Sequence, residues 1–138
     1  MARLAGKVAF ISGSGKGIGR ATALRFSEEG AKVLIADLDT QAGEETEKLV
    51  KAVGLSSGGD GFFVQTDITD HNSTKNAIQR CVDKFGSLTI LHNNAGGSTM
   101  NDGRVTDFLD EEFWRVMKLD VYGAFLGSKY GIPEIIKA

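Results

Sequence analysis

A single cysteine, Cys81, stands among 138 residues, so no disulfide can close within the chain. The two histidines, His71 and His92, stand apart, and no Cys/His group has metal-ligand spacing, so no metal site is expected. A net charge of −2 leaves no electrostatic footprint for nucleic acid or a polyanionic surface. No run approaches the ~20 apolar residues of a membrane span. The opening stretch, Met1 to Lys7, lacks the apolar core of a secretory signal. No internal repeat is found. What is left is the balance of a soluble globular domain, 41% hydrophobic and 25% charged, long enough for one real core. A reducing, cytoplasmic location fits the cysteine usage.

Glycine is the excess. Eighteen of 138 residues are glycine, about twice the usual share of roughly 7%. Most of them lie in turns between apolar runs. Val8 to Ile11 is a short apolar run that reads as a buried strand of a parallel sheet. Gly17 to Glu29 reads as a helix, with Ile18, Ala21, Leu24 and Arg25 at helical spacing and Gly30 as its stop. Val33 to Ala36 is a second buried strand. Asp39 is placed to cap an amphipathic helix from Thr40 to Val53. The Gly/Ser-rich stretch Gly54 to Gly61 reads as a surface loop. Phe62 to Thr66 is a third strand. Asp70 then caps a helix running to Phe85, with Ala77, Ile78, Cys81, Val82 and Phe85 inward. Leu88 to His92 is a fourth strand, Asn93 to Asp107 is irregular, and helical spacing returns from Asp110 through Phe113, Val116, Met117, Val121, Phe125 and Leu126. Pro133 kinks that last helix or marks its final turns.

This alternation predicts an α/β fold: a Rossmann-like parallel sheet with helices on both faces, joined by right-handed crossovers. In such sheets ligands lie beyond the carboxyl ends of the strands, where strand order reverses. The chemistry is therefore expected at the loops after Ile11, Ala36, Gln65 and His92.

The first of these loops is Ser12-Gly13-Ser14-Gly15-Lys16-Gly17-Ile18-Gly19. Glycine lets the backbone turn tightly and approach a pyrophosphate, and a following helix start offers N–H groups and a positive dipole end. An ordinary strand-to-helix turn does not need four glycines in seven positions. The spacing does not name the ligand. It fits G-x-x-x-G-x-G through Gly13, Gly17 and Gly19. It also fits G-x-G-x-G through Gly13, Gly15 and Gly17, which resembles S-adenosylmethionine-dependent methyltransferases. Asp37 closes the second strand, 18 residues past Gly19, with Leu38 beside it. A carboxylate there accepts hydrogen bonds from a ribose 2′-OH and repels a 2′-phosphate, which favours NAD over NADP. Lys16 pulls the other way, since a loop cation can pair with that phosphate; alternatively Asp37 is a solvated turn residue. Asp67-Ile68 after the third strand can bracket an adenine ring, or simply turn the chain. Asn93-Asn94-Ala95-Gly96 follows the fourth strand.

That last segment resembles the N-N-A-G signature of the short-chain dehydrogenase/reductase family, of the classical type. Together with Ser12-Gly13-x-x-x-Gly17-x-Gly19 and Asp37, the likeness extends from Gly6 to the helix containing Trp114. The resemblance implies a Rossmann domain with strand order 3-2-1-4 over residues 1–138, incomplete at the C-terminus. It implies hydride transfer between NAD(H) and a small-molecule alcohol or carbonyl substrate. The cofactor-binding residues it implies are Gly13, Ser14, Lys16, Gly17, Ile18, Gly19, Asp37, Leu38, Asp67, Ile68, Asn94, Ala95 and Gly96. A homo-oligomer paired through the helix of Phe113, Trp114 and Phe125 is also implied, those aromatics reading as core or interface. Gly97 to Asp107 is a candidate wall of the substrate pocket.

The sequence departs from the family pattern in two ways. The family's acid/base chemistry rests on Tyr-x-x-x-Lys and an upstream Ser. Here Leu126 stands four places after Tyr122 and Glu134 four after Tyr130, so neither tyrosine makes the pair and no catalytic residue is assigned. The chain is expected to be the cofactor half of an oxidoreductase, inactive by itself; the alternative is a non-catalytic NAD-binding short form. Asp120 stands where the family carries a helix-bending Asn that holds a relay water. An ionised carboxylate accepts hydrogen bonds but does not donate them. The fourth strand is expected at an open sheet edge, an association hazard.

Overall fold

The computed structural model describes residues 2–97 and 101–138. Strands β1 (Val8–Ser12), β2 (Lys32–Asp37), β3 (Asp60–Gln65) and β4 (Ile90–His92) form one parallel sheet in the order β3-β2-β1-β4. Helices α1 (Gly17–Glu28), α2 (Thr40–Gly54) and α3 (His71–Phe85) connect them. After β4 come α4 (Asp110–Met117), a π-helical turn (Lys118–Tyr122) and α5 (Gly123–Lys137), which run on without a break. Among the described residues no helix is long and apolar enough to cross a membrane.

Alternation along the strands divides the core into two layers. Val8, Phe10, Leu34, Ala36 and Val64 face Ala77, Ile78 and Cys81 of α3. Ala9, Ile11, Val33 and Ile35 face the other way, onto Ala23 and Val50 of α1 and α2. β1 is buried at every position, which is why it reads as an unbroken apolar run. Each fully buried Phe, Leu, Ile or Val in these layers contributes about 1.5–3 kcal/mol.

Helix starts match their sequence signals. Asp39 accepts from Ala42 N and Asp70 from Ser73 N, at 3.0 and 2.7 Å. At the far end of α3, Gly86 takes the left-handed conformation (φ 86°) and its N–H bonds the Val82 carbonyl.

Some expectations are corrected. The inward face of α1 is Gly19, Ala23 and Ser27, whereas Ile18 is exposed. A Cβ on Gly19 would clash with the Gly13 carbonyl, so the absence of a side chain there is what lets α1 sit this close to the turn. The loop after α2 is shorter than its glycines suggest, because Gly54 ends the helix and β3 starts at Asp60. β4 pairs over three residues only, on one side, and forms a sheet edge as expected. Phe113, Trp114 and Phe125 are exposed (47, 67 and 55%), which removes the core reading for them. Val121 and Met117 are exposed too, and Leu126 is the buried residue of that series. Ser98 to Met100, within the expected pocket wall, lie outside the described residues.

Candidate functional site

The carboxyl ends of the four strands open onto a crevice of about 290 Å³. Its wall is drawn from every predicted loop: Gly13 after β1, Asp37 and Leu38 after β2, Asp67 and Ile68 after β3, and Asn94, Ala95 and Gly96 after β4. Such a place is the reversal point of the strand order, since β1 has β2 on one side and β4 on the other.

The turn after β1 is held from below. Ser14 is fully buried; its hydroxyl donates to the Ile11 carbonyl (2.6 Å) and accepts from Ala36 N (3.1 Å). Ser14 therefore locks β1 to β2, and its side chain is committed to the sheet. Gly13 has φ 64°, and a Cβ on it would stand 2.8 Å from Ala95 Cα, so both conformation and space require glycine. Gly17 has φ 58° with open space around it, so there the requirement is conformational alone. Among the described residues no side chain caps the start of α1, in contrast to α2 and α3, and its first turn carries no acid. A helix start that no side chain caps keeps N–H groups that can receive an anion.

Asn94 joins the two sides of the crevice. Its Nδ2 donates to the carbonyls of Ser12 (3.0 Å) and Gly13 (3.1 Å). The Ser12 hydroxyl accepts in return from Asn94 N and Ala95 N, both at 3.0 Å. Asn93 turns the other way and donates to Ser128 of α5 at 3.1 Å. The loop is thus tied to β1 by Asn94 and to α5 by Asn93.

The Asp37 carboxylate stands at the crevice wall. One oxygen accepts from Gly15 N (2.7 Å) and the other from Asp39 N (2.9 Å). An ionised carboxylate has about four acceptor sites, so these two contacts do not exhaust it. Asp67 accepts from Thr69 N and from the Thr69 hydroxyl through one oxygen, leaving its other oxygen without a bond among these contacts. Ile68 is nearly buried and supplies an apolar wall.

Lys16 pairs with Asp39. Its Nζ lies 2.8 Å from Asp39 Oδ2 on the exposed rim. The contact lifts the Lys16 ammonium above its ordinary pKa, chiefly through the hydrogen bond to Asp39. The Asp39 carboxyl falls below its own, first through the Ala42 N–H it caps and then through Lys16. Lys16, Gly17, Ile18 and Gly19 surround the turn without lining the cavity itself.

Several wall residues carried no signal of their own. Ala36 and Thr66 flank the predicted positions by one residue, and Ser12 opens the glycine turn. Leu119 arrives from the π-turn, far away in sequence. The same turn presents Asp120, whose Oδ1 accepts from Gly97 N at 3.1 Å. π-turns inside helices recur at functional sites. Asp120 thus lies against the crevice loop, where the sequence likeness puts a helix-bending residue. Among the described residues no group of acidic, His and Cys side chains could hold a metal ion.

The family model described as short chain dehydrogenase matches residues 7–138. The chain is 43% identical over 136 residues to 2,5-dichloro-2,5-cyclohexadiene-1,4-diol dehydrogenase LinX of Sphingobium indicum, a match covering 99% of this chain and 52% of that protein. Among solved structures, NAD+-bound xylitol dehydrogenase superposes with a TM-score of 0.90 at 31% identity, covering 98% of this chain and 50% of the other. Carveol dehydrogenase from Mycobacterium avium in complex with NAD gives 0.91 at 30% identity, covering 99% and 52%. The chain spans about half the length of the relatives it matches.

Proposed function

The chain belongs to the short-chain dehydrogenase family, and on that premise we propose that it is the NAD-binding part of an oxidoreductase acting on a small alcohol or carbonyl compound. The observation that carries the reading is the crevice itself. A glycine turn, an uncapped helix start and a carboxylate with free acceptor sites meet at the reversal point of a parallel sheet. Its volume is at the low end of ligand clefts, which run roughly 300–1,000 Å³. It suits the adenosine part of a dinucleotide better than the whole.

In this reading Asp37 accepts from the adenosine ribose hydroxyls, and main-chain N–H groups at Gly17 to Gly19 receive the pyrophosphate. Asp67 and Ile68 flank the adenine, with Leu38 across the mouth. Gly13, Ala95 and Gly96 keep the floor free of side-chain bulk. Asn94 holds the floor rigid, and Ser14 holds β1 and β2 in register beneath it. When bound, NAD supplies the carbon that takes up or returns a hydride. Neither Tyr122 nor Tyr130 is followed at the fourth place by lysine, so this chain assigns no acid/base residue and is expected to show no turnover by itself. The exposed apolar stripe of Trp114, Met117, Val121 and Phe125 supports pairing of copies along α4 and α5.

Calorimetric titration with NAD, NADP and S-adenosylmethionine tests the reading. Saturable NAD binding that is tighter than NADP binding supports it. Preference for S-adenosylmethionine, or no nucleotide binding at all, overturns it. Asp37→Ala should narrow the gap between NAD and NADP, and an unchanged ratio would remove Asp37 from its role.

A further inference from the structure

Beside the Asp37 carboxylate lie two cations that could receive a phosphate on the ribose 2′-oxygen. Both are already engaged. Arg20 sits under the glycine turn, where its guanidinium donates to the Gly15 carbonyl and the Thr46 hydroxyl, each at 2.8 Å, and reaches Glu45 at 3.2 Å. Lys16 is otherwise solvent-facing, and Asp39 holds it at 2.8 Å. Asp39 itself is anchored. Its Oδ1 accepts from Ala42 N at 3.0 Å and caps α2, so Oδ2 is presented to Lys16 from a fixed position. Asp39 N in turn donates to Asp37 Oδ1 at 2.9 Å, which couples the two acids through one short turn.

We infer that Asp39 is a second determinant of cofactor choice, a positioning residue that holds Lys16 on the rim and so denies it to a 2′-phosphate. The inference rests on the NAD reading of the crevice. Asp37 opposes the phosphate directly, by repulsion at the sugar. Asp39 works through Lys16, by holding its ammonium away from the sugar. The division has a consequence that repulsion by Asp37 alone does not have. Neutralising Asp37 leaves Lys16 still tethered, so the two acids should act non-additively on NADP affinity.

Asp39→Asn separates the tether from the cap, because an asparagine oxygen still accepts from Ala42 N while the charge holding Lys16 is gone. Asp39→Ser does the same with a shorter side chain and serves as the second variant. The measurement is the ratio of NADP to NAD affinity by calorimetry for wild type, Asp39→Asn, and Asp39→Asn with Lys16→Ala. Asp39→Asn should raise the ratio about fivefold, the upper end of what an exposed ion pair holds. Adding Lys16→Ala should remove the gain, and raising the salt concentration should shrink it. NAD binding with a ratio that Asp39→Asn and Asp39→Ser leave unmoved overturns the inference alone, as does a gain that survives Lys16→Ala. Failure of wild type to bind NAD overturns the crevice reading, and the inference falls with it.

Discussion

Asn94 carries both amide hydrogens into a place where two carbonyls converge, Ser12 O and Gly13 O. Removing it leaves two partly buried acceptors without their donor, a loss of about 1–3 kcal/mol. Asn94→Ala is therefore expected to lower the urea midpoint, and Asn94→Asp to lower it further by aiming acceptor oxygens at the same carbonyls. An Asn94→Ala midpoint equal to that of wild type would mean that the donors do not matter. Glu29 does a comparable job at the N-terminus. Its carboxylate receives Arg3 N (3.1 Å) and the Arg3 guanidinium (2.9 Å), with Arg25 also paired, and these contacts hold its pKa down to about 2. A depressed carboxyl stabilises the fold above its ordinary pKa of 4.5 and loses that contribution as pH falls toward about 2. Glu29→Gln should thus lower the melting temperature at neutral pH and converge with wild type at the acid end. A gap that stays constant with pH would exclude the ionised pair as its source.

At the scale of elements, the crevice depends on how secondary structures are held to one another. Ser14 and Asn94 bind β1 to β2 and β4 at their carboxyl ends, while Asn93 and Asp120 attach the following loop to α5 and the π-turn. Asp120 supplies only an acceptor at its contact with Gly97 N, so the contact survives replacement by asparagine. Asp120→Ala should speed amide exchange at Gly97 with little change in the strands, and Asp120→Asn should leave that amide slow. Fast exchange in both variants would show that the charge, and not the bond, orders the loop. Helical spacing on α1 points Ile18 inward, yet Gly19 must touch Gly13 and Asn94, and that contact rotates Ile18 outward. The caps at Asp39 and Asp70 were legible because each bonds within its own first turn.

For the whole molecule, the two apolar layers close around a sheet buried on both faces. Cys81 lies inside one of them, fully buried, and burial pushes its thiol up to about 12. Its modification by a thiol reagent at neutral pH should then require opening of α3 from the sheet, with a rate that climbs with denaturant as unfolding does. Prompt labelling in native buffer would contradict this packing. The other side of the molecule is less closed. β4 offers an unpaired edge, and an apolar groove of about 600 Å³ runs between Trp114 and Phe125 on the outer face of α4 and α5.

Period and punctuation in the chain were enough to establish the parallel α/β order, the caps, and the loops that would form the crevice. Buried strands are uniformly apolar and turns need glycine, and both are local constraints written residue by residue. The sheet order read from the family likeness is the order observed, β3-β2-β1-β4. Only the folded chain decided the partnerships between distant residues. Lys16 pairs with Asp39, Ser14 turns into the sheet, Leu119 reaches the crevice, and the aromatics of α4 and α5 face outward. Each depends on what a neighbouring element brings alongside, a hydrogen-bond partner within about 3 Å for Lys16 and Ser14 and packing for the apolar side chains, and no spacing along one segment encodes that.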